Sequence, residues 1–243
     1  MKYVGSKNRQ AKHIISVTLK DISDNLNKKF INWVEPFVGG ANLIDKVPTY
    51  FNRYGYDSNK YVIALLKALS AKWEPPLEVT EEIYRHIQHN RNSYPDHLVG
   101  YAGFCLSYGG KFYGGYRRDS VGKRDYSREA YNNTVKQSTL LTGINFECIP
   151  YQELNIPDYS IVYCDPPYAN TTSYAGSGKF DSDKFWNWVT ELSKNPTLRV
   201  YVSEFSAPNN WVTLWESKPR ASSLTKDTGS KKAVEKLFTY REP

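Results

Sequence analysis

The feature that most constrains the fold of this chain is an alternation of short apolar runs with amphipathic stretches. Runs with strand character lie near residues 31–35, 53–57, 160–164 and 198–204. Stretches with helical spacing lie between and beside them, at residues 7–28, 42–46, 60–72 and 181–194. Such alternation is typical of a parallel sheet whose faces are covered by helices. The sequence therefore predicts an α/β fold with a Rossmann-like sheet, to which residues 212–216 and 236–240 add further strands.

The alternation is interrupted between residues 73 and 145. Glu74-Pro75-Pro76 ends the preceding helix, and Thr80 is placed to cap a new one. The glycine pairs Gly109-Gly110 and Gly114-Gly115, with aromatic residues around them, indicate a hairpin or an ordered loop. The strand pattern then resumes near residue 146. We therefore predict a core formed by residues 1–72 and 146–243, with a mostly helical insertion at 73–145.

An unusual four-residue segment, Asp165-Pro166-Pro167-Tyr168, follows the apolar run 160–164. Proline nitrogens donate no hydrogen bond, whereas the peptide carbonyls and the Asp165 carboxylate accept them. Tyr168 adds a flat aromatic face. Acceptors beside an aromatic ring suit a planar group with an amino donor, such as a nucleobase. Asp and Pro are also ordinary turn residues, so these four residues alone are compatible with a simple turn.

Two further polar segments follow predicted strands. Glu35-Pro36-Phe37-Val38-Gly39-Gly40-Ala41-Asn42 comes after the first strand, and its glycine pair would let a ligand approach the backbone closely. Asp57-Ser58-Asn59 comes after the second strand, about 20 residues later, where nucleoside-binding α/β folds hold a ribose. Gly39-Gly40 could instead form a turn, and Asp57 could cap a helix.

The charge of the chain favours a polyanionic partner. The net charge is +7, and residues 101–140 alone carry seven basic against three acidic side chains. Eight Tyr and Phe residues are interleaved with these charges, a composition that fits contact with phosphates and exposed bases. Arginine often contacts guanine and lysine often contacts phosphate. The candidate DNA contacts are Lys111, Tyr113, Tyr116, Arg117 and Arg118.

Other classes of protein are less compatible with this sequence. No apolar run approaches the length of a membrane span, and no signal-peptide pattern follows Met1. The three cysteines, Cys105, Cys148 and Cys164, lack the spacing of metal ligands, so we expect no metal and a reducing cytoplasm. His86 and His89 lie three residues apart on a predicted helix, without an evident third ligand.

Taken in order, these motifs resemble the Dam-like DNA adenine-N6 methyltransferases. The resemblance rests on Lys2-Tyr3-Val4-Gly5-Ser6-Lys7, Glu35 to Asn42, Tyr56 to Asn59 and Asp165 to Tyr168. It extends from Lys2 to at least Tyr201. It implies an enzyme that transfers a methyl group from S-adenosyl-L-methionine to a flipped adenine in a short duplex DNA site, leaving S-adenosyl-L-homocysteine. It also implies a target-recognition insertion, with double-stranded DNA as the partner of a monomer or weak dimer.

The resemblance assigns roles to individual residues. Catalysis would use the four residues Asp165, Pro166, Pro167 and Tyr168. Cofactor binding would use residues from four segments: Tyr3, Lys7, Glu35, Pro36, Phe37, Gly39, Gly40, Asn42, Asp57, Ser58, Asn59 and Asp165. Cys148, Ile149 and Tyr151 lie where the family places a segment against the adenine of the cofactor.

The sequence also departs from the family in two places. Residues 111–118 lack a clear form of the Asn- and Pro-containing hairpin associated with GATC recognition, and Ser203-Glu204 stands where Ser-Asn is expected. The target site therefore stays open. A DNA cytosine-N4 methyltransferase, a glutamine or RNA methyltransferase and a catalytically silent DNA-binding relative also remain, although intact Asp165 to Tyr168 argues against the silent form. A solitary enzyme, a restriction-modification partner and a phage-protective enzyme are equally compatible.

Overall fold

A computed structural model describes residues 1–25, 29–119, 121–167, 180–218 and 234–242. The strands of these ranges form one seven-stranded sheet in the order β3-β2-β1-β4-β5-β7-β6. They are β1 (Asn32–Glu35), β2 (Asn52–Tyr56), β3 (Ile144–Glu147), β4 (Ser160–Cys164), β5 (Leu198–Glu204), β6 (Trp211–Glu216) and β7 (Lys236–Tyr240). β1 to β5 pair in parallel, and β7 runs antiparallel to β5 and β6. The predicted α/β fold with a mostly parallel sheet is confirmed.

The described helices agree with most of the predicted ones. They are α1 (Ala11–Asn25), α2 (Lys60–Ser70), α3 (Glu81–His89), α4 (Asp96–Gly100), α5 (Tyr126–Ser138) and α6 (Ser182–Ser193). The side chain of Thr80 caps α3 and that of Asp181 caps α6, because each accepts a hydrogen bond from a first-turn N–H group. None of these helices is long and apolar enough to cross a membrane.

Two short elements differ from the predictions, and a third takes one of two predicted forms. α1 begins at Ala11 rather than residue 7, because a turn precedes it in which the Lys7 carbonyl accepts the N–H groups of Gln10 and Ala11. The helix predicted at 42–46 is a single 3-10 turn, Ile44–Lys46. Of the two forms predicted around the glycine pairs, a hairpin or an ordered loop, the segment takes the loop form, with one antiparallel bridge between Ser107 and Tyr116.

The two faces of the sheet are buried against different helices. Trp33, Tyr163 and Tyr201 lie on one face, in an apolar cluster with side chains of α1 and α2. Their strand neighbours Val34, Val162 and Val202 point to the other face, where Phe185 and Val189 of α6 cover them. The strands are therefore buried on both faces, as is usual for parallel sheets.

The inserted segment between α2 and β3 is built onto the first face of the sheet. Tyr84, Phe104 and Ala130 belong to the same apolar cluster as Leu65 of α2 and Trp33 of β1. At Gly100 a Cβ atom would lie 2.3 Å from the Tyr61 carbonyl oxygen, so α4 rests directly on the backbone of α2. The insertion thus shares the core of the sheet, which places its loops close to the sheet edge.

Candidate active site

The carboxyl ends of β1, β2 and β4 bring the three sequence motifs to one edge of the sheet. Glu35 ends β1, Asp57 directly follows β2, and Asp165 directly follows β4. β1 lies between β2 and β4, so the strand order changes direction between β1 and β4. In open α/β sheets ligands bind outside the carboxyl ends of strands at such a switch point. We define this edge as the candidate active site.

The glycine loop after β1 is held by the neighbouring strand and covered by Tyr3. Gly39 has a φ of +47°, which a side chain would strain, and its N–H group donates to Asp57 Oδ2 at 3.1 Å. A Cβ atom on Gly39 would lie 2.7 Å from Tyr3 Cε1, and one on Gly40 would lie 2.6 Å from Tyr3 Cβ. The absence of side chains at both positions therefore allows Tyr3 to lie against the loop.

Asp57 connects the glycine loop to the start of α2. Its Oδ2 atom accepts from Gly39 N, and its Oδ1 atom accepts from Asn59 N at 2.9 Å. Burial raises the pKa of this carboxyl to about 6, although these backbone hydrogen bonds act in the opposite direction. Each carboxylate oxygen has a second lone pair, so Asp57 keeps acceptor capacity for a ligand. Asn59 caps α2 with its own side chain, while Ser58 is exposed.

Lys7 forms a buried ion pair with Asp165. The Lys7 Nζ atom lies 2.7 Å from Asp165 Oδ1 and 3.4 Å from Glu235 Oε1, and its side chain is 6% exposed. Burial lowers the pKa of Lys7, but the two carboxylates more than offset this and raise it above its usual value. Lys7 is therefore a fixed cation beside the Asp165 carboxylate.

The side chain of Glu35 is buried below the carboxyl-end edge of the sheet rather than exposed at it. The side chain is buried and its Oε1 atom accepts from Trp33 Nε1 at 3.1 Å. Burial, with the charges of Asp45 and Asp165 nearby, raises the pKa of Glu35 well above its usual value. Pro36 is buried beside it.

Gln137 of α5 is a site residue that the sequence did not reveal. Its Nε2 atom donates to the carbonyl oxygens of Gly40 at 3.0 Å and Ala41 at 3.3 Å, and to Asp45 Oδ2 at 3.0 Å. Asn42 Nδ2, in the same loop, is buried without a hydrogen-bond partner in the described part of the chain. The inserted segment thus fixes the glycine loop from below. A single Gln in a polar helix offers no sequence signal for this role.

Aromatic rings line the second face below the glycine loop. The ring of Phe37 lies 5.1 Å from Tyr151 and 6.0 Å from Phe180, measured between centroids. Ile149 packs against the same cluster, and Cys148 is exposed, with its Sγ atom 3.7 Å from the Ser58 carbonyl oxygen. The predicted adenine-side segment therefore lies next to the segment that contains Asp57.

The Asp-Pro-Pro segment is described only in part. Pro166 is buried and Pro167 is half-buried, so both continue the sheet edge beyond Asp165. Tyr168, predicted to stack on a base, lies outside the described residues. On the adjacent strand, Glu204 ends β5; it is buried and accepts from Phe205 N at 2.9 Å. Glu204 is thus a further acid close to the site.

The predicted DNA contacts separate into buried and exposed side chains. Tyr113 and Tyr116 pack against Tyr84, and the Tyr116 hydroxyl donates to the Val79 carbonyl at 2.6 Å. Arg117 is 8% exposed and pairs with Glu129 at 3.2 Å. These three residues organise the insertion.

Two candidates remain open to a large partner. Lys111 is exposed, and Arg118 is 64% exposed while pairing with Glu81 at 2.7 Å. The loop that carries Lys111 lies against the amino-terminal segment: a Cβ atom on Gly110 would lie 2.7 Å from Tyr3 N. This part of the insertion is therefore next to the candidate active site.

The residues at this edge fit a nucleoside-containing cofactor. Asp57 retains acceptor capacity, and Asn42 Nδ2 is a buried donor without a hydrogen-bond partner among the described residues. A carboxylate that can accept from ribose hydroxyls, close to an unsatisfied amide donor, suits S-adenosyl-L-methionine. Within the described ranges, no group of three His, Cys, Asp or Glu side chains is arranged to hold a metal ion.

The strand order, with β7 antiparallel between β5 and β6, defines a Rossmann-like sheet with an antiparallel pair at one edge. Comparison with protein-family models and with curated proteins finds no match. Two solved structures of the rRNA methyltransferase AviRa from Streptomyces viridochromogenes are similar to the chain. In each, 12% of residues are identical over 94% of this chain and 84% of that chain, with TM-scores of 0.41 and 0.40.

Proposed function

We propose that this chain is an S-adenosyl-L-methionine-dependent, site-specific DNA adenine-N6 methyltransferase. The observation that carries the proposal is the position of Asp165, which is paired with Lys7 at the sheet edge that also holds the glycine loop and Asp57. A carboxylate followed by two prolines at that position combines acceptors with a backbone poor in donors.

Cofactor binding in this proposal uses the residues around the glycine loop. Asp57 accepts from the ribose hydroxyls, and the backbone of Gly39 and Gly40 lies beside the methionine part. Phe37 and Tyr151 provide apolar contacts. When bound, S-adenosyl-L-methionine supplies a methyl group that is already activated by its sulfonium centre. The protein's task is then to orient a weak nucleophile.

Asp165 and the Pro166 carbonyl oxygen are proposed to accept the two hydrogens of the adenine amino group. These contacts favour a tetrahedral nitrogen whose lone pair is directed at the methyl carbon. Their negative potential stabilises the positive charge that grows on nitrogen during transfer. The nitrogen gains the methyl group and releases a proton, while the electron pair of the broken C–S bond stays on sulfur. Positioning of this kind can contribute up to roughly 7–11 kcal/mol to barrier lowering.

The target adenine is paired inside duplex DNA, so the mechanism requires base flipping at a cost of a few kcal/mol. Tyr168 is proposed to stack on the flipped base. The exposed cations of the insertion, Lys111 and Arg118, are proposed to contact the flanking duplex.

The substrate class can be tested with labelled S-adenosyl-L-methionine and three acceptors in parallel: unmethylated duplex DNA, structured RNA and a mixture of denatured proteins. The proposal predicts label in DNA alone. Label confined to RNA or protein would contradict it. Absence of label with intact cofactor binding would indicate a silent binder.

Cofactor binding should depend on the ionisation of Asp57. The pKa of this carboxyl is raised to about 6, so it is ionised at neutral pH and gains a proton as the pH falls through that value. Protonation removes an acceptor, and affinity should therefore fall on the acidic side. Asp57→Asn should bind about tenfold more weakly at neutral pH and lose this pH dependence. Calorimetric titration with S-adenosyl-L-homocysteine at several pH values measures the affinity and its pH dependence. An unchanged pH profile in Asp57→Asn would exclude this carboxyl as the titrating group.

Removal of the two exposed cations of the insertion should weaken DNA binding. The double variant Lys111→Ala/Arg118→Ala should reduce the slope of log affinity against log salt by about one for each DNA phosphate that the protein no longer neutralises. Lys20→Ala is a suitable control, because Lys20 is exposed on α1 and paired with Asp24. Fluorescence anisotropy at several salt concentrations gives the slopes. Equal slopes in the parent and the double variant would exclude this surface as a phosphate-binding one.

A further inference from the structure

The buried cation next to Asp165 has a second carboxylate partner from the opposite end of the chain. Glu235 lies immediately before β7, and its Oε1 atom is 3.4 Å from Lys7 Nζ. The Glu235 side chain is 14% exposed, and in the described part of the chain no group donates a hydrogen bond to Oε1. The contact with Lys7 is therefore one of charge.

Glu235 is held in place by the ends of its own hairpin. Its N–H group donates to Ser217 Oγ at 2.9 Å, and its carbonyl oxygen accepts from Ser217 N at 2.7 Å. Ser217 follows β6 directly and is buried. The carboxylate therefore reaches Lys7 from a backbone that is fixed on both sides.

Among the described residues, two carboxylates lie around the Lys7 ammonium group at this point of the sheet edge. Both carboxylate oxygens lie within 3.4 Å of the same nitrogen, in a largely buried site where charges are weakly screened. Without Glu235, the pair of Lys7 and Asp165 would be neutral, and the lysine would oppose positive charge growing on a nearby nucleophile. With Glu235, part of the lysine charge is offset, and Asp165 keeps its negative potential.

We propose that Glu235 is a positioning residue that acts through Lys7 and sets the negative potential that Asp165 presents to the reacting nitrogen. This inference rests on the proposed methyl transfer at Asp165. Because charge develops mainly in the transition state, the contribution of Glu235 belongs to the rate of transfer rather than to the binding of neutral ligands.

The isosteric variant Glu235→Gln tests this role, since it removes the charge and keeps the shape. We expect the single-turnover rate of methyl transfer to fall about tenfold, while the affinity for S-adenosyl-L-homocysteine, which lacks the sulfonium charge, and the KM for DNA stay within about twofold. Glu235→Asp should recover part of the rate. Glu216→Gln is the matched control, because Glu216 pairs with Lys236 on the same hairpin and is 53% exposed.

The outcomes separate this inference from the proposed function. If the parent transfers methyl groups and Glu235→Gln matches it within about twofold, the inference fails alone. If the rate, the ligand affinity and the melting temperature all fall together, Glu235 has a merely structural role, and this result would also overturn the inference. If the parent transfers no methyl group to any acceptor, the proposed function fails and this inference fails with it. Should Glu235→Gln not fold, Glu235→Asp withdraws the carboxylate from Lys7 by one methylene, and a rate equal to that of the parent would overturn the inference.

Discussion

Replacement of Asp165 by alanine is expected to reduce methyl transfer by about 10²–10³-fold, comparable to removal of a group that stabilises charge in a transition state. The variant loses an acceptor for the amino hydrogens and the negative potential beside the reacting nitrogen. Its fold should persist, because Lys7 keeps Glu235 as a counterion. Single-turnover transfer to duplex DNA measures the rate, and a thermal melt measures the fold.

Asp165→Asn refines this test, because it keeps the size of the side chain and one acceptor oxygen while removing the charge. Its rate should lie between those of the parent and Asp165→Ala. Asp181→Ala serves as a control, since Asp181 is an exposed helix cap of α6. Activity of Asp165→Ala within about threefold of the parent would exclude the role assigned to this carboxylate.

The largest loss of stability is expected at Asp21, whose buried carboxylate joins α1 to the sheet. Its Oδ2 atom accepts from Arg199 at 2.9 Å and from the Tyr201 hydroxyl at 2.8 Å, and its Oδ1 atom accepts from Arg241 at 2.6 Å. Asp21→Ala leaves the largely buried Arg199 guanidinium without its carboxylate. We expect a loss of about 3–5 kcal/mol in the free energy of unfolding.

For a chain of this size such a loss corresponds to a fall of roughly 10 °C in melting temperature. Asp24→Ala provides the matched control, because Asp24 lies one turn further along α1 and pairs with Lys20 in solvent. That variant should melt close to the parent, since exposed ion pairs contribute little. Similar melting temperatures for Asp21→Ala and Asp24→Ala would show that the buried network is not a main source of stability.

Most of the sheet could be predicted because its strands are buried and its helices are amphipathic. α5 could not, because its buried face is formed by Ala130, Thr134, Gln137 and Ser138, of which three are polar. Hydrophobic periodicity does not identify a helix whose buried side chains carry hydroxyl and amide groups. The sequence could not decide between a hairpin and an ordered loop at residues 109–115 for a related reason: glycine pairs mark a chain reversal, but they do not specify how many strand pairs flank it.

The proximity of Asp165, Asp57 and the glycine loop followed from a simple rule, since parallel strands end at the same edge of a sheet. The positions of Glu235 and Gln137 in the site could not be predicted in this way, because their contacts with Lys7 and Gly40 join distant parts of the chain. For the basic and aromatic residues of the insertion, amino-acid composition does not indicate which side chains are buried and which are exposed. Arg117 and Lys111 carry the same charge, yet one is buried against Glu129 and the other is exposed.

The chemical identity of the methylated nucleoside tests the central claim most directly. Duplex DNA without methylated bases is incubated with the protein and labelled S-adenosyl-L-methionine, digested to nucleosides and separated by chromatography with mass detection. We expect label in N6-methyladenine and none with Asp165→Ala. Label in N4-methylcytosine would keep the fold and the cofactor but contradict the assignment of adenine as the target.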